Sequence, residues 1–312
     1  MELFKNLMSG FWKREEERRC ELARRGVDVL PDDLSQELCS ELALELRRQS
    51  AEHVPNGLYE TTVVNFVFNH ERIEGNTNSE YRTREIIQTR DEVIADTTAA
   101  SEVRETANHS LMFDVLLETL DRPLSTDLIR EMHSALMDGI TDTAGEWKVL
   151  RNAVANVATV DPAEVPMAMQ TLVDAYSGHA PTLENIARFH VRFETIHPFA
   201  DGNGRVGRAI MFRECLRAGV IPFIVMDRSK DSYYAGLDAF RYGEDRLIDY
   251  FRDMQREYLH LSAPLLDSDD IRERLGEYIE IDRSPALIDP GFTDPLPSHT
   301  SADRDRDDLP SH

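Results

Sequence analysis

Apolar residues recur at helical spacing along most of the chain. In LSQELCSELALELRRQ, residues 34–49, leucines stand at 34, 38, 42, 44 and 46, which predicts an amphipathic helix with one buried face. Residues 110–120 and 125–139 follow the same rule, and the second opens at Ser125 or Thr126, whose hydroxyls suit a helix N-cap. TLENIARFHVRFETI, residues 182–196, puts Leu183, Ile186, Phe189, Phe193 and Ile196 on one broad face behind the cap Thr182. A further helix is expected from about Arg205 to Ala218, stopped by Gly219. It is apolar between 209 and 216 except for Arg213 and Glu214, the pattern of a buried helix. One stretch breaks the period. WKVLRNAVANVATV, residues 147–160, is valine-rich and partly alternating, which predicts a short β-hairpin. The expected class is mainly α with one small β element, and no internal repeat is visible.

The end of the chain has a different composition. Residues 267–312 hold 13 acidic residues, five arginines and five prolines. From about residue 282 there is too little apolar surface to offset the cost of ordering the chain, so a disordered tail is expected. The 312 residues, 41% of them hydrophobic, suffice for one large or two ordinary domains. No run of apolar residues is long enough to span a membrane. The opening MELFKNLMSGFWKREEERRC lacks the apolar core of an export signal. Cys20, Cys39 and Cys215 lie far apart with no CxxC pair, which argues against a disulfide framework or a zinc site and fits a reduced, cytoplasmic setting. A net charge of −23 disfavours nucleic acid and anionic membrane surfaces as partners. Any phosphate must therefore be held by local cations against the overall field.

Such cations occur in HPFADGNGRVGR, residues 197–208. Pro198 disfavours helix at His197, so the helix over 182–196 should end there. The Asp201-Gly202-Asn203-Gly204 turn then feeds the next helix. A glycine-flanked loop leading into a helix N-terminus presents unpaired N–H groups and the positive end of the helix dipole, which suits an anion. Arg205 and Arg208, three apart, share a helix face, and each can fork onto phosphate oxygens. That leaves room for a nucleotide di- or triphosphate. Asp201 offers a hard oxygen ligand for Mg2+ beside those phosphates, and His197 is suited to take a proton near neutral pH. Together these residues describe phosphoryl or nucleotidyl transfer.

The same twelve residues closely resemble the Fic-domain motif HPFx(D/E)GNGRxxR, with every fixed position matched. The resemblance extends to GEWK at 145–148, to the hairpin after it, and to SYYAGLDAF at 232–240. It implies a compact Fic-type helical domain with a small β-hairpin flap over residues 101–262. An N-terminal helical region would fill 1–100, and an acidic, largely disordered tail 263–312. The implied activity is transfer of AMP from ATP, with Mg2+, to a Ser, Thr or Tyr hydroxyl of a target protein. His197 would deprotonate that hydroxyl, Asp201 would bind Mg2+, and Gly202, Asn203 and Gly204 would line the phosphate site. Arg205 would clamp the α- and β-phosphates, Arg208 would meet the γ-phosphate, Phe199 would anchor the loop, and Tyr234 would line the base pocket. His190 would be structural. The flap near 147–160 would dock the target as an added strand. Relatives often dimerise, which leaves a homodimer open.

NHERIEGNT, residues 69–77, resembles the inhibitory helix of Fic proteins, (S/T)xxxE(G/N). Glu74 and Gly75 match, whereas His70 stands at the Ser/Thr position. The resemblance implies a bidentate pair between Glu74 and Arg208 that takes the γ-phosphate site and inhibits the chain in cis. Two alternatives stay open on the sequence: a phosphodiesterase that removes AMP from a modified protein, and a nucleotide-binding scaffold with little turnover.

Overall fold

Helices account for nearly all regular structure in the computed structural model, which describes residues 30–279 apart from 97, 155–156 and 244. Helix α1 (Asp32–Glu52) covers the predicted leucine repeat and extends it at both ends. Leu34, Leu38, Leu42 and Leu46 are buried, whereas Leu44 faces outward. Next come α2 (Leu58–Ile73), α3 (Glu80–Gln88), α4 (Arg90–Ala95), α5 (Ser101–Glu118) and α6 (Thr126–Met137). They are followed by α7 (Val165–Ser177), α8 (Leu183–Ile196), α9 (Asn203–Ala218), α10 (Lys230–Arg241), α11 (Arg246–Ser262) and α12 (Asp269–Leu275). Ser125 and Thr182 cap α6 and α8 through side-chain oxygens that accept from Leu128 N and Asn185 N.

Helix α9 is the centre of the fold. It packs on α8, α1, α2, α5 and α6. Every residue from Arg205 to Leu216 is buried, charged ones included. The sequence reading starts this helix at Arg205; the structure starts it at Asn203, because Gly202 adopts the left-handed conformation that ends the preceding turn. Arg213 is tolerated inside because its guanidinium reaches Glu214 and the carbonyls of Thr119 and Arg122.

Strand structure among the described residues is one antiparallel ladder, Ala153–Val154 (β1) with Val157–Ala158 (β2), in the register 153 to 158 and 154 to 157. It lies inside the predicted hairpin and uses only two residues on each side. Part of the stretch expected as tail is packed: Leu266, Ile271 and Leu275 are buried. Residues 280–312, which carry the expectation of disorder, lie outside the described residues, as does Cys20. No helix among the described residues is long and apolar enough to cross a membrane.

Candidate active site

The loop between α8 and α9 carries the predicted site. His197 ends α8 with φ 50°, a left-handed conformation uncommon outside glycine, and its N–H donates to Phe193 O at 2.8 Å. Phe199 is fully buried; its ring stacks on His133 with centroids 3.7 Å apart and lies 5.0 Å from that of Trp147. This stacking anchors the loop. Asn203 closes it: Oδ1 accepts from Phe199 N at 2.9 Å and Nδ2 donates to Phe199 O at 3.0 Å. The Asn203 side chain thus faces the loop backbone, and only its main chain contributes to the helix terminus. No side chain caps that terminus, which leaves its N–H groups able to bind an anion.

The two glycines serve different needs. Gly202 has φ 75°, and a Cβ there would approach Leu136 to 3.1 Å. Gly204 lies under a carboxylate, since a Cβ there would stand 2.5 Å from Glu74 Oε1 and 2.8 Å from Arg208 Nη1. Glu74 follows the last residue of α2 and accepts from Arg208 Nη2 at 2.6 Å. The pair is single, not the expected two-pronged contact: the same Nη2 also donates to His70 O at 3.3 Å. His70 replaces the motif's hydroxyl with aromatic packing, its ring 4.1 Å from that of Phe66 one turn earlier. Burial opposes the charge on Arg208, but Glu74, Tyr233 and Glu194 more than offset this and hold its pKa above the ordinary value.

Arg205 is likewise held by carboxylates, with Glu105 at 3.0 Å and Glu71 and Asp201 each at 3.5 Å. Glu71 also pairs with His109 Nδ1 at 2.7 Å. Glu71 near the end of α2 and Glu74 just after it therefore sit three residues apart and meet two arginines of α9, also three apart. Asp201 is the exposed member of the set: its Oδ1 accepts from Gly202 N at 2.7 Å, and three-quarters of the side chain faces solvent. Among the described residues no three His, Cys, Asp or Glu side chains group as a metal site. One open carboxylate beside an anion cradle fits a cation that arrives with phosphates, not one the chain would hold alone.

His197 lies partly open to solvent, with Nδ1 3.8 Å from Glu194 Oε2. Burial, and then the charge on Lys148, lowers its pKa, so the ring is a neutral base near pH 7. Tyr234 is half-exposed, 5.3 Å from Tyr233 between centroids. Its hydroxyl pKa is raised, first by burial and then by the charge of Glu74. His190 is buried, bonds Tyr233 OH at 2.5 Å and packs under Gly207, a structural placement as expected.

Residues 123–215 match the model of the Fic/DOC family. The chain carries a Fic domain. It is 27% identical over 197 residues to the protein adenylyltransferase Fic of Drosophila willistoni, covering 61% of this chain and 39% of the relative. Against the protein of the same name from Drosophila yakuba, identity is 28% over 224 residues, 68% of this chain and 45% of the relative. The chain thus spans less than half the length of these curated relatives. Solved structures share the Fic fold. A Fic-domain-containing signaling protein from Bacteroides thetaiotaomicron superposes with TM-score 0.58 at 20% identity, covering 79% of this chain and all of that one. Fic-1 from C. elegans gives 0.55 at 22%, covering 80% and 75%.

Four contributors to the candidate site were not singled out from sequence. Glu71 and Glu105 hold Arg205, His133 holds the loop from behind, and Asn152 reaches Phe199 O at 3.0 Å. His133 Nδ1 accepts from Gly145 N at 2.8 Å, and its Nε2 lies 3.2 Å from Asp201 O. Only Glu71 left a readable sign: Glu71 and Glu74 repeat the spacing of Arg205 and Arg208.

Proposed function

We propose that this chain transfers AMP from ATP to a Ser, Thr or Tyr hydroxyl of a target protein, and that Glu74 restrains the reaction. The observation that carries this reading is Glu74 Oε1 lying over Gly204 and 2.6 Å from Arg208, where an anion would meet both the α9 terminus and a guanidinium. A carboxylate there competes with a terminal phosphate for the same donors. With Glu74 displaced, the α9 N-terminus and Arg208 are free to hold the triphosphate, and Arg205 borders the same cradle.

His197 takes the proton of the target hydroxyl. The hydroxyl oxygen then bonds to the α-phosphorus as the bond from that phosphorus to the bridging oxygen of the β-phosphate breaks. AMP ends as a phosphodiester on the target, and pyrophosphate leaves. Mg2+ would be held by Asp201 together with the phosphates and would neutralise charge developing on the leaving group. Tyr234 would border the nucleotide; Glu74 is among the charges that act on its hydroxyl. A hairpin strand, 153–154 or 157–158, would accept a target segment as an added strand. The setting we propose is cytoplasmic.

The test is incubation of wild type, Glu74→Gly, and Glu74→Gly with His197→Ala in α-labelled ATP and Mg2+. Label on the protein is expected to rise at least tenfold in Glu74→Gly, by the order of a lost charge-pair competitor, and to vanish when His197→Ala is added. Equal label in wild type and Glu74→Gly removes the restraint. An unlabelled but folded Glu74→Gly protein removes AMP transfer.

A further inference from the structure

The base of the hairpin grips the backbone on both sides of His197. Lys148 N donates to Pro198 O at 2.8 Å. Lys148 Nζ donates to Ile196 O at 3.1 Å. Asn152 Nδ2 donates to Phe199 O at 3.0 Å. The carbonyls of 196, 198 and 199 are thus all taken by residues 148 and 152, and they flank the one residue of the loop that has a side chain and a positive φ. The remaining donors of the same ammonium go to Asn152 Oδ1 and Thr159 Oγ1, each at 2.6 Å. Thr159 in turn donates to Asn152 O at 3.1 Å and so closes the foot of the hairpin. The ammonium has three donors, and these three acceptors use them all.

We infer that Lys148 is a positioning residue that locks His197 in its left-handed conformation and couples the hairpin to it. The inference rests on the AMP-transfer reading for its kinetic consequence, but the contacts stand without that reading. Lys148 is buried and none of its three Nζ partners carries a charge. Burying an ammonium among neutral acceptors is costly, and a neutral donor could join the same groups. What the charge adds is its effect on the neighbouring imidazole, whose positive form it disfavours. The imidazolium is favoured by a backbone hydrogen bond at Glu194 and by the charges of Glu74, just after α2, and Asp201 from the loop. Lys148 opposes them. A target strand added at 153–158 pulls on a hairpin whose foot is bonded to residues 196, 198 and 199, so docking and the aim of the base move together.

The experiment uses the full chain in the Glu74→Gly background with Lys148→Met, Lys148→Arg and Asn152→Ala. The His197 imidazole is titrated by NMR, its signal assigned with His197→Gln, and the labelling rate is measured against ATP concentration. Lys148→Met is expected to raise the His197 pKa by about one unit, since a like charge nearby is lost. It should also cut the labelling rate at saturating ATP at least tenfold, with KM for ATP changed less than about twofold. Lys148→Arg should keep the original titration and recover most of the rate. Asn152→Ala keeps the charge, breaks the Phe199 link and removes the Oδ1 that accepts from Lys148 Nζ and Thr159 Oγ1; it should lower the rate with the titration unmoved. An unchanged titration and rate in Lys148→Met overturns the inference, and so does failure of Lys148→Arg to differ from it. If Lys148→Met does not fold, Asn152→Ala and Lys148→Arg decide by the same criteria. If the Glu74→Gly parent carries no label, AMP transfer falls, while the His197 titration still decides whether Lys148 governs the base.

Discussion

Glu74 Oε1 stands 2.6 Å from Arg208 Nη2, joining residues 134 positions apart in the chain. Arg208 is otherwise enclosed: its side chain is 2% exposed, whereas Glu74 keeps 36% of its surface in solvent. The acid is therefore the movable partner and the arginine the fixed one. A nucleotide that displaces the acid meets a guanidinium already in place, because α9 is packed on five neighbouring helices.

Gly204→Ala separates the cradle from the fold. Its methyl would stand 2.5 Å from Glu74 Oε1 and 2.8 Å from Arg208 Nη1. Both are ends of flexible side chains, so the fold can adjust while the phosphate site cannot. In the Glu74→Gly background the Arg208 contact remains, and we expect ATP affinity, measured by calorimetry, to fall by about tenfold or more. The urea midpoint should shift by less than about 1 kcal/mol in stability. Unchanged ATP affinity would take Gly204 out of the site.

Glu71→Gln acts on the fold instead. Glu71 is buried between His109 at 2.7 Å and Arg205 at 3.5 Å. Neutralising it leaves Arg205 with Glu105 and Asp201 only. The expected cost is about 2–3 kcal/mol, at the lower side of breaking a buried ion pair because partners remain. Urea unfolding measures it; a change below about 0.5 kcal/mol would show that Glu71 is not a buried partner of Arg205.

His133→Phe keeps the stack on Phe199 and removes two polar contacts. Gly145 N then loses its buried acceptor at 2.8 Å, and Asp201 O loses the Nε2 contact at 3.2 Å. We expect a loss of about 1–3 kcal/mol in unfolding free energy, with amide exchange at Gly145 speeded in proportion. Protection of that amide equal to wild type would contradict its bond to His133.

Stability should fall as the pH is lowered below about 6.5. Burial pushes the His133 pKa down to about 4 and that of His190 to about 3, and it lowers those of His70 and His109 as well. The His133 and His190 rings stay neutral in the fold down to about those values but take protons in the unfolded chain below about pH 6.5. The unfolded state therefore binds more protons between about 6.5 and 4, and stability declines as pH falls through that window. Two such histidines give roughly 2–3 kcal/mol of loss per pH unit. Urea unfolding at about pH 7.5 and about pH 5.5 checks it; a flat profile would mean that these rings are not buried neutral.

Much of the architecture was legible because local spacing dictates it. The leucine repeat of α1 and the apolar face of α8 appear where periodicity puts them, with Thr182 at the cap. Helix α5 shows where the reading falls short. It begins at Ser101, whereas the apolar pattern starts at 110. Its first turns bury Thr106, Asn108 and His109, polar residues that hide the amphipathic face. Asn108 is buried because its Nδ2 donates to Leu136 O and Asp138 O at the end of α6. No periodicity can announce such a partner. Lys148 was visible as one of only four lysines, but its role depends on acceptors 48 positions away.

By itself, the sequence determined α1, α6, α8 and α9, the turn at 197–204 and the chemical kinds of group on it. Each depends on neighbours within a few residues, where backbone preference and spacing decide the outcome. The packed chain alone decided that Arg205 meets Glu71 and Glu105, that Glu74 makes one contact with Arg208 and not two, and that Lys148 holds the carbonyls around His197. Those choices depend on which helix faces come together and which polar atoms are thereby shut off from water, and only the closed core specifies that.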